Sequence, residues 1–315
     1  MKVVNIMEVI EIKPRGYCHG VLNALAIVKK VIKNKSYPRP IYVLGQIVHN
    51  RQITAYFKTH GVISLDDKGK TRYDLLESVN EGTVIFTAHG VSKKIIERAK
   101  EKGLTYMNAT CRDVLKVHKA VEKKLNEGYH VIYIGHRNHP EPEGVLDISK
   151  DIYFVENEKD VLLLPNDLGK KKIFVTNQTT LSMYDIESVL KMIETKYPNY
   201  EFDNEICDAT TIRQKAVIEQ DDIDLMLVVG DQKSSNSNKL VEVGKKTKAK
   251  TSYLIQNIND IDLTWLNHAN KVSVTSGAST PTSVTNEVIQ FLKQYKKDDP
   301  STWDHQSQLS DEDIL

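Results

Sequence analysis

Apolar and polar positions along the chain follow one pattern that occurs three times. Each occurrence starts with a stretch whose apolar residues fall on one helical face, as Val21, Leu25 and Val28 do in the first. A short, nearly continuous apolar run follows, which is typical of a parallel strand buried on both faces. The three helical stretches read GVLNALAIVKKVIKN, RDVLKVHKAVEKKLNEG and ATTIRQKAVIEQ. The pattern predicts alternating helices and strands.

Each occurrence also carries the same landmarks in the same order. A cysteine comes first, a glycine closes an apolar run 27, 24 and 23 positions later, and a threonine follows after a further 42, 41 and 45. The landmarks are Cys18, Gly45 and Thr87, then Cys111, Gly135 and Thr176, then Cys207, Gly230 and Thr275. Matched distances between scarce residues indicate an internal repeat.

The repeat predicts the fold class and the domains. We expect an α/β protein of three similar domains with small, mainly parallel sheets, facing one pseudo-threefold axis. The predicted domains are residues 1–108, 109–204 and 205–297, followed by a polar acidic tail at 298–315. The tail is expected to be loosely wrapped, with Trp303 as a possible anchor. Polar loops follow the carboxyl ends of the strands, where open α/β sheets place their ligand sites.

Composition excludes several classes of function. The chain has 315 residues, of which 40% are hydrophobic and 27% charged, and a formal net charge of +1. This balance gives no electrostatic reason to expect nucleic acid or a membrane surface as a partner. Glu8 and Glu11 stand where a secretory signal would need an apolar core. We expect a cytoplasmic protein without a membrane segment.

One cysteine in each repeat points to a metal centre. Three converging thiolates with a histidine would suit zinc, whereas three alone suit an iron–sulfur cluster with one open iron. The long separation of the three cysteines along the chain favours the cluster, and a zinc site remains an alternative. The surrounding loops offer hydroxyl, amide, carboxyl and imidazole groups that could form a hydrogen-bonding cage for an oxygenated anion: His49, His89, His139, Glu141, Thr179, Ser234, Ser235, Asn236 and Ser279. Ser92 and Ser182 are expected to be helix N-caps.

Nine motifs in order resemble a known family. They are PRGYCHGV, GQIVHN, TAHGVS, NATCRDVLKVH, GHRNHPEPEG, TNQTTLS, ICDATTIRQKA, VVGDQKSSNSNKL and VTSGASTP, and they lie within residues 14–290. Together they resemble the LytB-type 4-hydroxy-3-methylbut-2-enyl diphosphate reductases of the non-mevalonate isoprenoid pathway.

The resemblance implies a trefoil of three α/β domains around a [4Fe–4S] cluster held by Cys18, Cys111 and Cys207. It implies an allylic diphosphate substrate that loses its hydroxyl group with two electrons and two protons, giving isopentenyl and dimethylallyl diphosphates. Ferredoxin or flavodoxin would supply the electrons. Glu141 would donate the proton and Thr179 would contact the hydroxyl. The diphosphate would lie among His49, His89, His139, Ser234, Ser235, Asn236 and Ser279.

The predicted diphosphate contacts include no lysine or arginine, so we expect at least one of the three histidines to be protonated when substrate is bound. Three residues depart from the family pattern near the cysteines: His19, Leu115 and Asp208. They could alter the properties of a cluster. Two alternatives stay open: a hydro-lyase that uses a three-cysteine cluster without net electron transfer, and a zinc-stabilised repeat protein that binds a phosphorylated metabolite.

Overall fold

The computed structural model describes residues 7–67, 69–247 and 249–314. In this part of the chain strands and helices alternate, as the apolar pattern predicts. The strands are β1 (Glu8–Glu11), β2 (Ile41–Leu44), β3 (Val62–Leu65), β4 (Thr83–Phe86), β5 (Thr105–Asn108), β6 (Tyr129–Ile134), β7 (Ile152–Val155), β8 (Lys172–Asn177), β9 (Tyr200–Asp203), β10 (Ile223–Val229), β11 (Ala249–Ile255) and β12 (Lys271–Ser276).

The helices are α1 (His19–Lys33), α2 (Arg51–Thr59), α3 (Arg72–Glu77), α4 (Lys93–Glu101), α5 (Arg112–Asn126), α6 (Pro140–Leu146), α7 (Glu158–Leu163), α8 (Met183–Lys196), α9 (Asp208–Ile218), α10 (Ser235–Lys246) and α11 (Thr282–Gln294). The three predicted helical stretches are α1, α5 and α9. Each begins at the residue after a cysteine.

The strands form three sheets of four, and every pairing is parallel. The strand orders are β3-β2-β4-β5, β7-β6-β8-β9 and β11-β10-β12-β1. The predicted α/β class with small parallel sheets is confirmed. The third sheet takes its fourth strand from the beginning of the chain: Glu8 pairs with Lys271 and Glu11 with Val274.

The edge strands β1, β5 and β9 therefore have the same place in the three sheets, and each leads towards a cysteine. The third strands β4, β8 and β12 lie next to them. Strand β4 is buried at all four positions, and β8 is buried at every residue after Lys172. Such complete burial explains the uninterrupted apolar runs in the sequence.

Two compact units make up the chain. The central unit consists of residues 19–48, 57–67 and 69–207 and contains the first two sheets. The terminal unit consists of residues 7–18, 49–56, 208–247 and 249–314 and contains the third. Helix α2 is divided between them. The predicted domain boundaries and the arrangement of the repeats around one axis stay predictions.

Each unit has its own apolar cores. In the terminal unit, one face of the third sheet packs on α11 through residues such as Val274, Val288 and Leu292, and the other face packs on α10 through residues such as Val228 and Leu240. In the central unit, separate clusters lie on the first sheet and on both faces of the second. The helices packed on the sheets hold the strand ends, and thus the polar loops, in place.

The C-terminal segment packs on the terminal unit. The indole of Trp303 donates to the carbonyl of Lys296 at 2.9 Å, and its role as an anchor of the tail stays a prediction. Ile314 is buried, and its carbonyl accepts a 2.7 Å hydrogen bond from the hydroxyl of Tyr17. None of the described helices combines the length and the apolar character that crossing a bilayer requires.

Candidate active site

The three cysteines are outside any disulfide bond, and each is half-buried. Each backbone N–H donates to a carbonyl in the loop after the third strand of a sheet: Cys18 to Ala278 at 3.0 Å, Cys111 to Ala88 at 2.9 Å, and Cys207 to Thr179 at 3.0 Å. In every case the acceptor is the second residue after the strand ends. The repeat therefore sets each thiol beside a loop that carries predicted site residues.

Glu141 has the most unusual environment among the predicted site residues. It lies in the first turn of α6, and only 1% of it is exposed. One carboxyl oxygen accepts from the backbone N–H of Thr179 at 2.9 Å, and the other is 2.9 Å from the Thr179 hydroxyl. The hydroxyl of Tyr133 donates to the first oxygen at 3.4 Å. Since the Thr179 carbonyl holds Cys207, these contacts connect the carboxyl group to a thiol-bearing segment.

Burial determines the protonation of this carboxyl group. Desolvation raises the pKa of Glu141 to about 7, against the opposing effect of the hydrogen bonds from Thr179 and Tyr133. The removal of water penalises the charged form more than these three donors stabilise it. Near neutral pH the group therefore exists in both forms, as a proton donor requires.

His139 caps the helix that carries Glu141. Its Nδ1 accepts from the backbone N–H of Glu141 at 3.2 Å, so the neutral ring carries its proton on Nε2. The ring of His89 meets it edge-to-face with centroids 5.4 Å apart, and the Nδ1 of His89 is 3.3 Å from the Thr87 hydroxyl. The structure thus brings two of the predicted anion-binding histidines together.

The terminal unit brings together another part of the predicted set. The Ser279 hydroxyl donates to the carbonyl of His49 at 3.0 Å, and the amide of Asn50 donates to the carbonyl of Ser279 at 2.9 Å. The side chain of Asn236 accepts from the N–H of Ala278 at 3.0 Å. The Ser279 loop is therefore hydrogen-bonded both to the loop that carries His49 and to the first turn of α10, which carries Asn236.

Ser234 and Ser235 begin α10. Ser234 is the N-cap, and its hydroxyl accepts from the N–H of Ser237 at 3.3 Å. Ser234 is buried and Ser235 half-buried. Of the two serines predicted as ordinary caps, Ser182 forms a capping box with Asp185, as expected. The hydroxyl of Ser92 instead donates to Asp147, although Ser92 is the N-cap of α4.

The three residues that depart from the family motifs, His19, Leu115 and Asp208, have different surroundings. The Nε2 of His19 lies 3.8 Å from the Cys111 sulfur and 3.3 Å from a carboxylate oxygen of Asp113. Leu115 is half-buried in the first turn of α5, and Asp208 is the exposed first residue of α9. His19 places a side-chain nitrogen near the Cys111 sulfur, and the backbone N–H of Leu115 donates to the carbonyl of Cys111 at 3.0 Å.

The loop before Cys18 is held by residues that lie within the family motifs but were not predicted as site residues. Arg213 of α9 donates to the carbonyl of Gly16 at 2.7 Å, and the N–H of Gly16 donates to the Ser276 hydroxyl at 2.9 Å. A Cβ at Gly16 would lie 2.3 Å from the Thr282 hydroxyl oxygen, and the backbone has φ +81°. Both facts require glycine here. The sequence signal for this contact was the arginine in the motif ATTIRQKA, and its burial is seen in the structure.

A second unpredicted contact supports α6. Arg72 of α3 is buried and bonds to Glu143 through its Nη1 and its backbone N–H, each at 2.7 Å. A cleft of about 600 Å³ lies against this pair and is lined by ten residues of the first two repeats, none of them predicted as a site residue. Nothing in the local sequence around Arg72 signals a partner 71 residues away.

The fold and the site together define a class. This is an α/β protein of three repeats in which each repeat presents a cysteine thiol beside a loop of polar side chains. The chain belongs to the LytB family, whose model, described as LytB protein, matches residues 9–293.

Individual relatives agree with this assignment. The chain is 50% identical over 300 residues to a protein of Bacillus mycoides named 4-hydroxy-3-methylbut-2-enyl diphosphate reductase, covering 95% of this chain and 94% of the relative. A protein of Bacillus cereus with the same name is 48% identical over 311 residues, covering 98% and 97%. Among solved structures, an E-1-hydroxy-2-methyl-but-2-enyl-4-diphosphate reductase from Plasmodium falciparum is similar with a TM-score of 0.82 and 36% identity, covering 90% of this chain and 87% of that one.

Proposed function

We propose that this chain is a 4-hydroxy-3-methylbut-2-enyl diphosphate reductase. The reaction replaces the allylic C–O bond by a C–H bond with two electrons and two protons, and the oxygen leaves as water. The products are isopentenyl and dimethylallyl diphosphates. Relatives with this name at 48–50% identity support the activity. The observation that carries the chemistry is a buried carboxyl group joined through Thr179 to the segment of Cys207.

The donor set fits an iron–sulfur cluster. Cys18, Cys111 and Cys207 supply one thiol from each repeat, none is in a disulfide bond, and none is part of a local Cys-x-x-Cys pair. They would hold three irons of a [4Fe–4S] cluster. When bound, such a cluster supplies electrons and an open, Lewis-acidic iron for the substrate hydroxyl.

The chain's own residues deliver the proton. Hydroxide is a poor leaving group, so the oxygen must be protonated as the C–O bond breaks. Glu141, whose pKa burial raises to about 7, provides the acid, and its oxygen is 2.9 Å from the Thr179 hydroxyl. Thr179 can accept this proton and pass its own to the substrate. The closed surroundings of Glu141 keep bulk water from competing for it.

The diphosphate is bound by imidazole, hydroxyl and amide groups. We assign its contacts to His49, His89, His139, Ser234, Ser235, Asn236 and Ser279, which together contain no fixed positive charge. His139 offers its Nε2–H while its Nδ1 is occupied by the N–H of Glu141. Protonation on substrate binding is therefore expected at His49 or His89 rather than at His139.

The electrons would come from ferredoxin or flavodoxin. The test of the function is a single-turnover assay of anaerobic, cluster-containing protein with the allylic hydroxy diphosphate, with and without a chemical reductant. We expect isopentenyl and dimethylallyl diphosphates only with reductant. A product lacking the elements of water in the absence of reductant would indicate a hydro-lyase. Binding without turnover, with zinc in the protein, would indicate a metabolite-binding repeat protein.

A further inference from the structure

Arg72 joins the first repeat to the helix that carries the proposed acid. Its side chain is 8% exposed, and its Nη1 donates to Glu143 Oε2 at 2.7 Å. Its backbone N–H donates to the other oxygen of the same carboxylate at 2.7 Å. Both groups belong to the central unit, with Arg72 at the start of α3 and Glu143 in α6. One carboxylate thus receives two hydrogen bonds from a single residue.

The same guanidinium reaches the backbone beside the acid. Nη1 also lies 3.3 Å from the carbonyl oxygen of Pro140, whose peptide bond leads directly to Glu141. Pro140 stands between the two residues proposed to bind the diphosphate and to donate the proton, His139 and Glu141. A shift of Arg72 would therefore move the backbone at the position where both side chains originate.

Helix α6 is held from two sides. On one side Glu141 is bonded to Thr179 and Tyr133 of the second repeat. On the other side Glu143 and Pro140 are bonded to Arg72 of the first. A helix of only seven residues has few internal hydrogen bonds, so its orientation depends on such external contacts.

The burial of Arg72 makes the pair sensitive to substitution. Desolvation lowers the pKa of Arg72, and Glu143 opposes this effect. A buried pair of charges gives little net stability compared with apolar side chains, but the loss of one partner leaves the other uncompensated. The Nε of Arg72 has no hydrogen-bond partner among the described residues, so the guanidinium is held chiefly through Nη1.

We propose that Arg72 is a positioning residue for the reaction, which fixes the start of α6 so that Glu141 stays closed to water and directed at Thr179. The inference rests on the proposed function, since it concerns the acid of that reaction. The other titratable groups facing Glu141 are Tyr133 on β6 and Asp113 on α5, with His139 on its own helix. Arg72 contacts none of these three in the described structure and acts through the backbone of α6.

The test compares Arg72→Gln with Arg98→Gln in the cluster-containing protein. Arg98 is a control because it also holds a glutamate of the same repeat with two hydrogen bonds, to Glu77 at 2.6 and 3.0 Å, and its described partners, Glu77 and Glu101, lie on α3 and α4. Infrared spectra recorded against pH would follow the protonated carboxyl band of Glu141, identified by its loss in Glu141→Gln. Steady-state kinetics would give kcat and KM separately.

In Arg72→Gln we expect the carboxyl band to titrate at lower pH, because a loosened α6 admits water and weakens the desolvation that raises the pKa. We expect kcat to fall by roughly 10- to 100-fold, with a smaller change in KM. Arg98→Gln should leave the titration and kcat unchanged. An unchanged titration midpoint in Arg72→Gln would overturn the proposal, even if the variant melted at a lower temperature.

A second variant keeps the test decisive if Arg72→Gln does not fold. Glu143→Gln removes the charge of the other partner, whose side chain is 36% exposed. It should shift the titration of the Glu141 carboxyl band in the same direction by a smaller amount. A failure of the proposed function gives a different result. In that case Glu141→Gln keeps the wild-type kcat, whereas the titration of the Glu141 carboxyl band in Arg72→Gln is still shifted. If no carboxyl band of Glu141 titrates near neutral pH, the proposed positioning role of Arg72 is contradicted as well.

Discussion

Glu141 is enclosed almost completely, and this enclosure gives an ordinary carboxyl group the properties of a neutral-pH acid. Its three hydrogen-bond donors would by themselves lower the pKa. Desolvation outweighs them, since a charged carboxylate loses more from the removal of water than three partners restore. The sequence shows only HPEPEG, whereas the raised pKa of this glutamate depends on its burial in the folded structure.

The pH dependence of kcat should report this group. In the proposed mechanism the protonated form of Glu141 is the active one, so kcat is expected to be high below about pH 7 and to decrease as the pH rises through the pKa of Glu141. Glu141→Gln should lose this limb and about 10²- to 10⁴-fold of kcat. Glu187→Gln, on an exposed glutamate of α8, is the control and should match wild type. A wild-type profile retained in Glu141→Gln would contradict the assignment.

His19 should influence the redox properties of the centre through Cys111. Its Nε2 lies within hydrogen-bonding distance of the sulfur, and hydrogen bonds to ligand sulfurs help set cluster potentials. A donor stabilises the added negative charge, so His19→Ala is expected to make the midpoint potential more negative. His19→Gln, which retains an N–H donor, should recover part of the shift. Redox titration followed by electron paramagnetic resonance would measure it.

The exposed His268, distant in sequence from the cysteines, provides the control for that measurement. His268→Ala should leave the midpoint potential unchanged. If His19→Ala behaves in the same way, the short distance between His19 and Cys111 has no effect on the proposed cluster.

At the scale of elements, the loop that joins β1 to α1 depends on glycine. Gly16 has φ +81° and would direct a Cβ to 2.3 Å from Thr282, whereas Gly61 has φ +77° and open space around it. Gly61→Ala should therefore cost only the backbone strain, about 1 kcal/mol. Gly16→Ala adds the clash and should cost about 1–3 kcal/mol more in the free energy of unfolding. Denaturant titration of both variants would separate the two effects, and equal losses would contradict this account.

The elements themselves were largely predictable, because periodicity is a local signal. The run VIF and the helix RDVLKVHKAVEKKLN show their burial directly in the spacing of apolar residues. The pairing of β1 with β12 could not be obtained in this way, since it joins residues more than 260 positions apart. The contact of Arg72 with Glu143 escaped prediction for the same reason: buried ion pairs leave no local periodic pattern.

At the scale of the whole molecule, the internal repeat explains why three distant cysteines have equivalent surroundings. Each follows the edge strand of a sheet, bonds to the loop after the neighbouring strand, and precedes a helix. The near-equal spacing of Cys18, Cys111 and Cys207 in the sequence expresses this structural equivalence. The repeat predicted the thiol-bearing loops together with their polar neighbours, but it could not predict the protonation of any of them.

The central claim is that the three cysteines hold a cluster on which an allylic diphosphate is reduced. The most direct measurement is the content of iron and acid-labile sulfide per chain in protein purified without oxygen, with Cys111→Ser as the control. The account predicts about four of each in the wild-type protein and a substantial loss in the variant. Zinc in place of iron, or no metal after reconstitution, would contradict it.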